Sequence, residues 1–299
     1  MSSFSGQRLV IFGCGYVGSA LAASAAAGGA RVTALTRNSS KADALRAAGV
    51  AEVVVADLAS SEWHERVAAA DWVVNCVSAA APTVDGYRQS YVEGMRSILA
   101  WAGRSAQLVG TFVYTSSTSV YPQGGGAVVD ETADTAQASA NGRILVESEN
   151  LLRAASSAAV RRSFILRLAG IYGPGRHYLL DQLRAGESPA GGSHRLNLAH
   201  RDDIVAAILA CLGASAEIPG GIFNVADDAP APKDEVLRWL AERLGRPTPA
   251  VVAPVAAVRR EGRATPDRII GNTRLRTRLG WRPRFTDFRA GYEAILHGA

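Results

Sequence analysis

Cysteine is scarce in this chain: only Cys14, Cys76 and Cys211 occur in 299 residues, far apart and without the paired spacings that build zinc sites or redox dithiols. Buried, reduced thiols and no bound metal are expected. Charged residues are few as well, 20% against 48% hydrophobic, a balance that excludes disorder and supplies a sizeable core. No apolar run approaches the roughly 18 residues of a spanning helix. Met1 to Gly6 lack the basic start and apolar stretch of a secretory signal. These absences predict a soluble, cytoplasmic protein with no membrane contact. No internal repeat is visible. The net charge of +5 raises nucleic acid as a partner, but the arginines are scattered, mostly between Ala and Leu, with no basic patch or reading motif. No nucleic-acid partner is expected, and the surplus suits small anionic substrates such as phosphates.

What is present is an alternation of short β-rich runs and helical stretches. Arg8 to Phe12 (RLVIF) reads as a strand, followed by a glycine turn and an Ala-rich helix to Ala27. Arg31 to Leu35 is a second strand, Ser40 to Ala48 a helix opened by a serine cap, and Glu52 to Ala56 a third strand. Asp71 to Val77, Thr111 to Thr115 and Ser163 to Leu168 continue the strands, with helices over Tyr87 to Gly103 and Arg143 to Ala155 between them. Strands apolar on both faces imply a parallel sheet between helix layers, the doubly wound α/β fold of Rossmann type. After Gly170 the composition turns to Gly, Pro and Arg. Asp202 to Leu212 then resumes a helical pattern, Ile222 to Val225 reads as a returning strand, and Lys233 to Leu244, Arg274 to Leu279 and Phe288 to Leu296 as helices. The expected division is a dinucleotide-binding domain over 1–169, rejoined by 198–226, and a smaller, mostly helical substrate-binding lobe over 170–197 and 227–299.

The first turn reads Gly13-Cys14-Gly15-Tyr16-Val17-Gly18, a Gly-x-Gly-x-x-Gly string placed after a strand and opening a helix. In that context Gly13 permits the tight turn, Gly15 lets backbone approach a pyrophosphate, and Gly18 lets helix pack on strand. The helix N-terminus meets the phosphates with free N–H groups and a positive dipole. An NAD-binding protein usually carries an acid about 20 residues on, for the ribose 2′-hydroxyl. Here Leu35, Thr36, Arg37 and Asn38 stand there, and Arg37 can grip a 2′-phosphate, so NADP(H) is the expected cofactor with NAD(H) as the alternative.

Over nearly its whole length the chain resembles the extended, atypical short-chain dehydrogenases/reductases, the group of NAD(P)-dependent epimerases, dehydratases and related reductases. Asp57-Leu58 is similar to the pair that contacts adenine, Thr115 to Tyr121 (TSSTSVY) to the segment with the catalytic Ser or Thr, and Ile171 to Arg176 (IYGPGR) to the loop beside nicotinamide and substrate. Asn197 to Asp203 (NLAHRDD) is similar to the family's N-x-x-H-x-x-D stretch. The resemblance implies cofactor contacts from Gly13, Gly15, Tyr16, Val17, Gly18, Thr36, Arg37, Asp57, Leu58, Val77, Ser78, Ala79 and Ser116. It implies substrate contacts from Arg176, His177, Asn197 and His200, and a catalytic role for Ser117.

In that family a Tyr transfers the proton and a Lys four residues later lowers its pKa. The matching positions here are Asn141 and Leu145, and 132–159 contains neither Tyr nor Lys. Two readings follow. In one, the chain is an oxidoreductase or epimerase/dehydratase acting on a small carbonyl or hydroxyl compound, with nucleotide sugars in scope, and Tyr91, Tyr121 or Tyr172 supplies the proton; His177 and His200 are further acid–base candidates. In the other, it is a catalytically silent NADP(H)-binding sensor. Arg162, Arg167, Arg176, Arg195 and Arg201 are candidates to neutralise a phosphorylated substrate. The two long helices match the pair through which the family dimerises, so a homodimer is expected.

Overall fold

The computed structural model describes residues 4–104, 108–155, 158–247 and 266–298. In chain order, β1 (Arg8–Phe12) passes through the glycine turn to α1 (Tyr16–Ala27), β2 (Arg31–Thr36), α2 (Ser39–Ala47), β3 (Glu52–Val55) and β4 (Trp72–Asn75). A helical column follows in three parts: α3 (Val84–Tyr87), a π-helical turn (Arg88–Glu93) and α4 (Gly94–Gly103). Then come β5 (Val109–Ser117), β6 (Ala127–Val129), α5 (Ala140–Ala154), β7 (Val160–Leu168), β8 (Gly170–Tyr172) and α6 (Tyr178–Arg184). The chain continues through β9 (Arg195–Leu196), β10 (Leu198–His200), α7 (Arg201–Leu212), β11 (Gly220–Val225), β12 (Ala231–Pro232) and α8 (Lys233–Arg243). It closes with β13 (Arg268–Ile270), α9 (Thr273–Leu279) and α10 (Phe288–Leu296).

Seven strands form one sheet in the order β11-β7-β5-β4-β1-β2-β3, and every pair in it is parallel. The alternation along β1 shows why it is buried on both sides. Leu9 and Ile11 pack with Leu21 and Ala25 of α1 and Ile204 and Ile208 of α7. Val10 and Phe12 face the opposite layer, where Trp63, Ile98 and Trp101 lie. A third cluster joins Tyr172, Leu180, Leu183, Val236, Leu240, Phe288 and Tyr292 around α6, α8 and α10. At about 25 cal/mol per Å² of apolar surface removed from water, these clusters dominate the stabilisation.

Several elements differ from their expected bounds for physical reasons. β5 extends past Thr111 to Thr115 on both sides because β7 pairs with it from Val109 to Ser117. The α2 cap is the Asn38 carboxamide, which accepts from Ser40 N at 2.9 Å, and not a serine. The long helix starts three residues early, at Val84, capped by the Thr83 hydroxyl, and carries the unforeseen π turn. Residues 248–265, between the helices expected over Lys233 to Leu244 and Arg274 to Leu279, lie outside the described residues. No helix among the described residues is long and apolar enough to cross a membrane.

Candidate functional site

Strand order reverses between β1 and β4: the chain builds β2 and β3 on one side of β1, then returns to build β4, β5, β7 and β11 on the other. In open α/β sheets ligands bind at the carboxyl ends of the strands, in the crevice at such a switch point. Here the crevice is a cleft of about 190 Å³ whose lining includes Gly13, Gly15, Thr36, Arg37, Lys41, Leu58 and Val77.

The glycine turn is shaped by what lies beside it. Gly13 has φ +83, and a Cβ there would stand 2.6 Å from the backbone nitrogen of Val77, at the end of β4. A Cβ on Gly18 would overlap the Gly13 carbonyl oxygen, so α1 can start this close to the turn only with glycine. At Gly15 a Cβ would meet nothing within 4 Å, which is the open space a ligand's phosphates require. No side chain caps α1 and no acid sits in its first turn, so its N-terminal N–H groups and dipole are left to an anion.

The far end of the cleft is cationic and polar. Thr36 closes β2, Arg37 and Lys41 are exposed, and no carboxylate is among the lining residues. Lys41, one helical turn into α2, was not singled out by sequence reasoning; its position after Arg37 was the available signal. Leu58 is buried in the lining, while Asp57 is exposed and accepts from Ala59 N at 3.0 Å. Val77 and Ser78 line the β4 side, and Asn75 holds that corner by accepting from Val77 N at 3.1 Å. These features fit a dinucleotide: phosphates at Gly15, adenine at Leu58 and a ribose at Thr36–Arg37. Cys14 and Cys76 also line the cleft, both unbridged, with thiols pushed up to about 12 by burial. Cys76 is only half-buried by exposure, unlike Cys14 and Cys211.

The Ser117 hydroxyl, half-buried at the end of β5, accepts from Ser119 N at 3.1 Å. Its neighbour Ser116, expected as a cofactor contact, projects to the other face of the strand and donates to the buried Glu149 at 2.6 Å, which Arg167 also grips. The three phenols differ sharply. Tyr121 is buried and donates to Asn224 Oδ1 at 2.8 Å, with Arg167 stacked on its ring. Tyr172 is buried between the rings of His200 and Tyr292, its pKa driven up by burial. Tyr91, on the π turn, is half-buried, and its oxygen accepts from Ala79 N at 3.3 Å, beside the cleft wall. Burial, then Tyr87, push its pKa up to about 12, so it is a neutral phenol at physiological pH.

Of the expected substrate contacts, two are spent on structure. Asn197 donates to Arg268 O and accepts from Ile270 N, strapping β13 to the body. His200 is buried, its Nδ1 accepting from Asp202 N at the start of α7, and burial lowers its pKa to about 4. Asn197 is thus held by two backbone bonds, whereas His200 Nε2 is buried with no hydrogen-bond partner among the described residues, and an imidazole held neutral in this way is no acid at physiological pH. His177 Nδ1 stands 2.8 Å from Asp181. Among the arginines, Arg162 donates to the carbonyls of Ala214, Ser215 and Ile218, Arg167 pairs with Glu149, Arg195 with Asp267 and Arg201 with Asp202. Arg176 is exposed and faces the Tyr16 ring. Among the described residues no cluster of three or more His, Cys, Asp or Glu has the arrangement of a metal site.

A doubly wound parallel sheet with a glycine turn at its switch point defines a dinucleotide-binding α/β protein. Residues 9–226 match the NAD dependent epimerase/dehydratase family, and the chain belongs to that family. It is 30% identical over 249 residues to Protein YeeZ of Escherichia coli K12, covering 81% of this chain and 86% of that protein. It is also 30% identical over 323 residues to a 3-diazoavenalumate denitrifying reductase of Streptomyces, covering 95% and 99%. Its fold superimposes with a TM-score of 0.78 on a conserved protein of unknown function from Silicibacter pomeroyi DSS, at 27% identity and with 98% and 99% coverage. It superimposes with a TM-score of 0.82 on MoeE5 in complex with UDP-glucuronic acid and NAD, at 21% identity with 97% and 98% coverage.

Proposed function

We propose that this protein is an NADP(H)-dependent oxidoreductase acting on a small carbonyl or hydroxyl compound, working as a cytoplasmic homodimer. The observation that carries the reading is the switch-point cleft, open at Gly15 and closed at its far end by Thr36, Arg37 and Lys41 with no carboxylate in its lining. An acid there would repel a 2′-phosphate; two cations attract one. The reductase relative, matched over 95% of this chain, supports a redox activity.

When bound, the nicotinamide supplies or accepts a hydride. The chain's own part is to hold the substrate oxygen and move its proton. Ser117 ends β5 with a hydroxyl whose oxygen is fixed by Ser119 N, leaving its hydrogen for a substrate oxygen. Tyr91 takes the acid role: it is half-buried, bonded to the Ala79 backbone next to Val77 and Ser78, and neutral. A neutral phenol donates its proton to the oxygen of a carbonyl as that carbon is reduced, which favours the reductive direction.

One observation favours a second reading, a silent NADP(H) sensor: Asn141 and Leu145 stand at the positions implied for the proton-transfer pair, with no Tyr or Lys between 132 and 159. Titration with NADPH and NADH, continued as a turnover assay over carbonyl compounds and nucleotide sugars, separates the two. Tighter binding of NADPH with sustained oxidation supports the enzyme. Tight binding without turnover across the panel supports the sensor, and a preference for NADH overturns the cofactor assignment.

A further inference from the structure

Of the five arginines singled out near the cleft, four are committed to carboxylates or carbonyls, and Arg176 is not: no carboxylate partner stands near it among the described residues. Its place is set by a latch. The Tyr16 hydroxyl, in the glycine turn, donates to Pro174 O at 2.9 Å across 158 residues of sequence. The same hydroxyl lies 2.8 Å from where a Cβ on Gly173 would stand, so only a glycine lets the 173–176 turn settle against it. The turn is closed by reciprocal bonds, Gly173 N to Arg176 O and Arg176 N to Gly173 O. Two guanidinium carbons, those of Arg176 and Arg201, then lie 5.5 Å from the Tyr16 ring centroid. Arg201 spends its Nε on Asp202 at 2.8 Å.

We propose that Arg176 is a ligand of the cofactor pyrophosphate, carried to the mouth of the glycine turn by the Tyr16–Pro174 latch, so that the dinucleotide is gripped by α1 on one side and by the 173–176 turn on the other. The argument is one of charge and place. The first turn of α1 offers uncapped N–H groups and contains no acid, and Tyr16 is its first residue. An unpaired guanidinium stacked against that residue adds a full positive charge to the same anion site. The cation–π contact holds the side chain over the ring without using its N–H donors. This inference rests on the dinucleotide reading above and deepens it: the turn that follows β8 becomes a cofactor clamp, and Arg176 moves from the substrate's contacts to the cofactor's.

The test uses the full chain and measures dissociation constants for NADPH and NADH in the wild type, Arg176→Gln, Tyr16→Phe, the double variant and Arg37→Ala. Both dinucleotides carry the pyrophosphate, so Arg176→Gln is expected to weaken both by the same factor, about tenfold for one charge-assisted contact. Arg37→Ala is expected to weaken NADPH alone. Tyr16→Phe breaks the latch, so the loss in the double variant is expected to be smaller than the product of the single losses. Arg176 is exposed and its side chain makes no hydrogen bond or ion pair to another side chain among the described residues, so its variant keeps the fold, which circular dichroism checks. If Arg176→Gln leaves both constants within about twofold and raises only a substrate's KM, the clamp is overturned and the guanidinium serves the substrate. If the wild type binds neither dinucleotide, the functional reading itself fails, and the clamp with it.

Discussion

At Gly18 one methyl group decides whether α1 can lie against the turn that precedes it. A Cβ would overlap the Gly13 carbonyl oxygen, a backbone atom that cannot swing aside. Gly18→Ala is expected to cost about 1–3 kcal/mol in stability, as overpacking does, and to displace the N–H groups at the mouth. Thermal unfolding and NADPH titration of the same sample read both effects. At the other end of the cleft the deciding groups are Arg37 and Lys41. Replacing each by Ala is expected to raise the NADPH dissociation constant by roughly 10- to 100-fold, the worth of one hydrogen bond to a charged group, while leaving NADH nearly unchanged. Tyr91→Phe removes one hydroxyl beside Ala79. Turnover is expected to fall by about 10²-fold or more with NADPH affinity retained, as loss of a general acid does; an unchanged kcat would take Tyr91 out of the proton transfer.

At the scale of elements, buried charge marks where strands and helices lock. Glu149 of α5 receives Arg167 of β7 and Ser116 of β5, so one carboxylate ties three elements below the Ser117 end of the sheet. Glu149→Gln leaves a buried guanidinium short of its counter-charge and is expected to destabilise the fold by about 3–5 kcal/mol in denaturant unfolding. Asp227, just past β11, is the opposite case. Its Oδ1 has no hydrogen-bond partner among the described residues, and burial, followed by Asp287, Asp228 and Asp203, raises its pKa from 3.8 to about 8. Among the described residues, a bond from Ala229 N relieves it in part. A carboxyl whose folded pKa lies above its unfolded value contributes fully below the unfolded pKa and loses that contribution as pH rises through the folded one. Stability at this site therefore declines from about pH 4 to pH 8. Asp227→Asn is expected to leave the melting temperature near pH 3 little changed and to raise it at pH 9; a variant that melts alike to the wild type at pH 9 would show that the carboxylate ionises at no cost.

Across the whole molecule, the C-terminal elements return to the sheet through polar straps as well as through Ile270, Leu275 and Trp281, which join the main core. Asn197 holds the backbone on both sides of Ile269, Arg268 donates to the carbonyls of Thr118 and Tyr121, and Asn272 donates to Ala226 O. Asp203 of α7 accepts from the backbone of Arg284 and Phe285, binding the approach to α10. These straps hold β13 and the approach to α10 against the sheet, and the turn that follows β8 is held beside the glycine turn by the Tyr16 hydroxyl donating to Pro174 O. Along α5 runs a groove whose lining includes Ala136, Val146, Leu151 and Ala154, with Glu147 of α5 ion-paired to Arg88 of the π turn. The homodimer proposed above would bury this groove. Light scattering at micromolar concentration is expected to give twice the 31.3 kDa chain mass, and a monomeric mass would overturn it.

The sheet and the place of the glycine turn were legible in the chain alone, because both are written in local order. Apolar strands recur between helical stretches, Gly13, Gly15 and Gly18 fall between a strand and a helix, and Thr36 and Arg37 occupy the end of the next strand; neighbours along the chain settle each of these. Only the tertiary structure decided which side chains reach the cleft. Ser116 and Ser117 are adjacent, yet strand alternation sends one to Glu149 and leaves the other at the strand end. Lys41 enters the cleft because of the direction in which α2 leaves β2. Tyr121 and Asn197 carry the chemistry of a site but bond to partners 71 or more residues distant, Asn224 and Arg268, while the rings of Tyr172 and His200 pack against Tyr292 and Phe285. Where a buried polar group finds its partner, or is left without one, is a property of packing that no local pattern encodes.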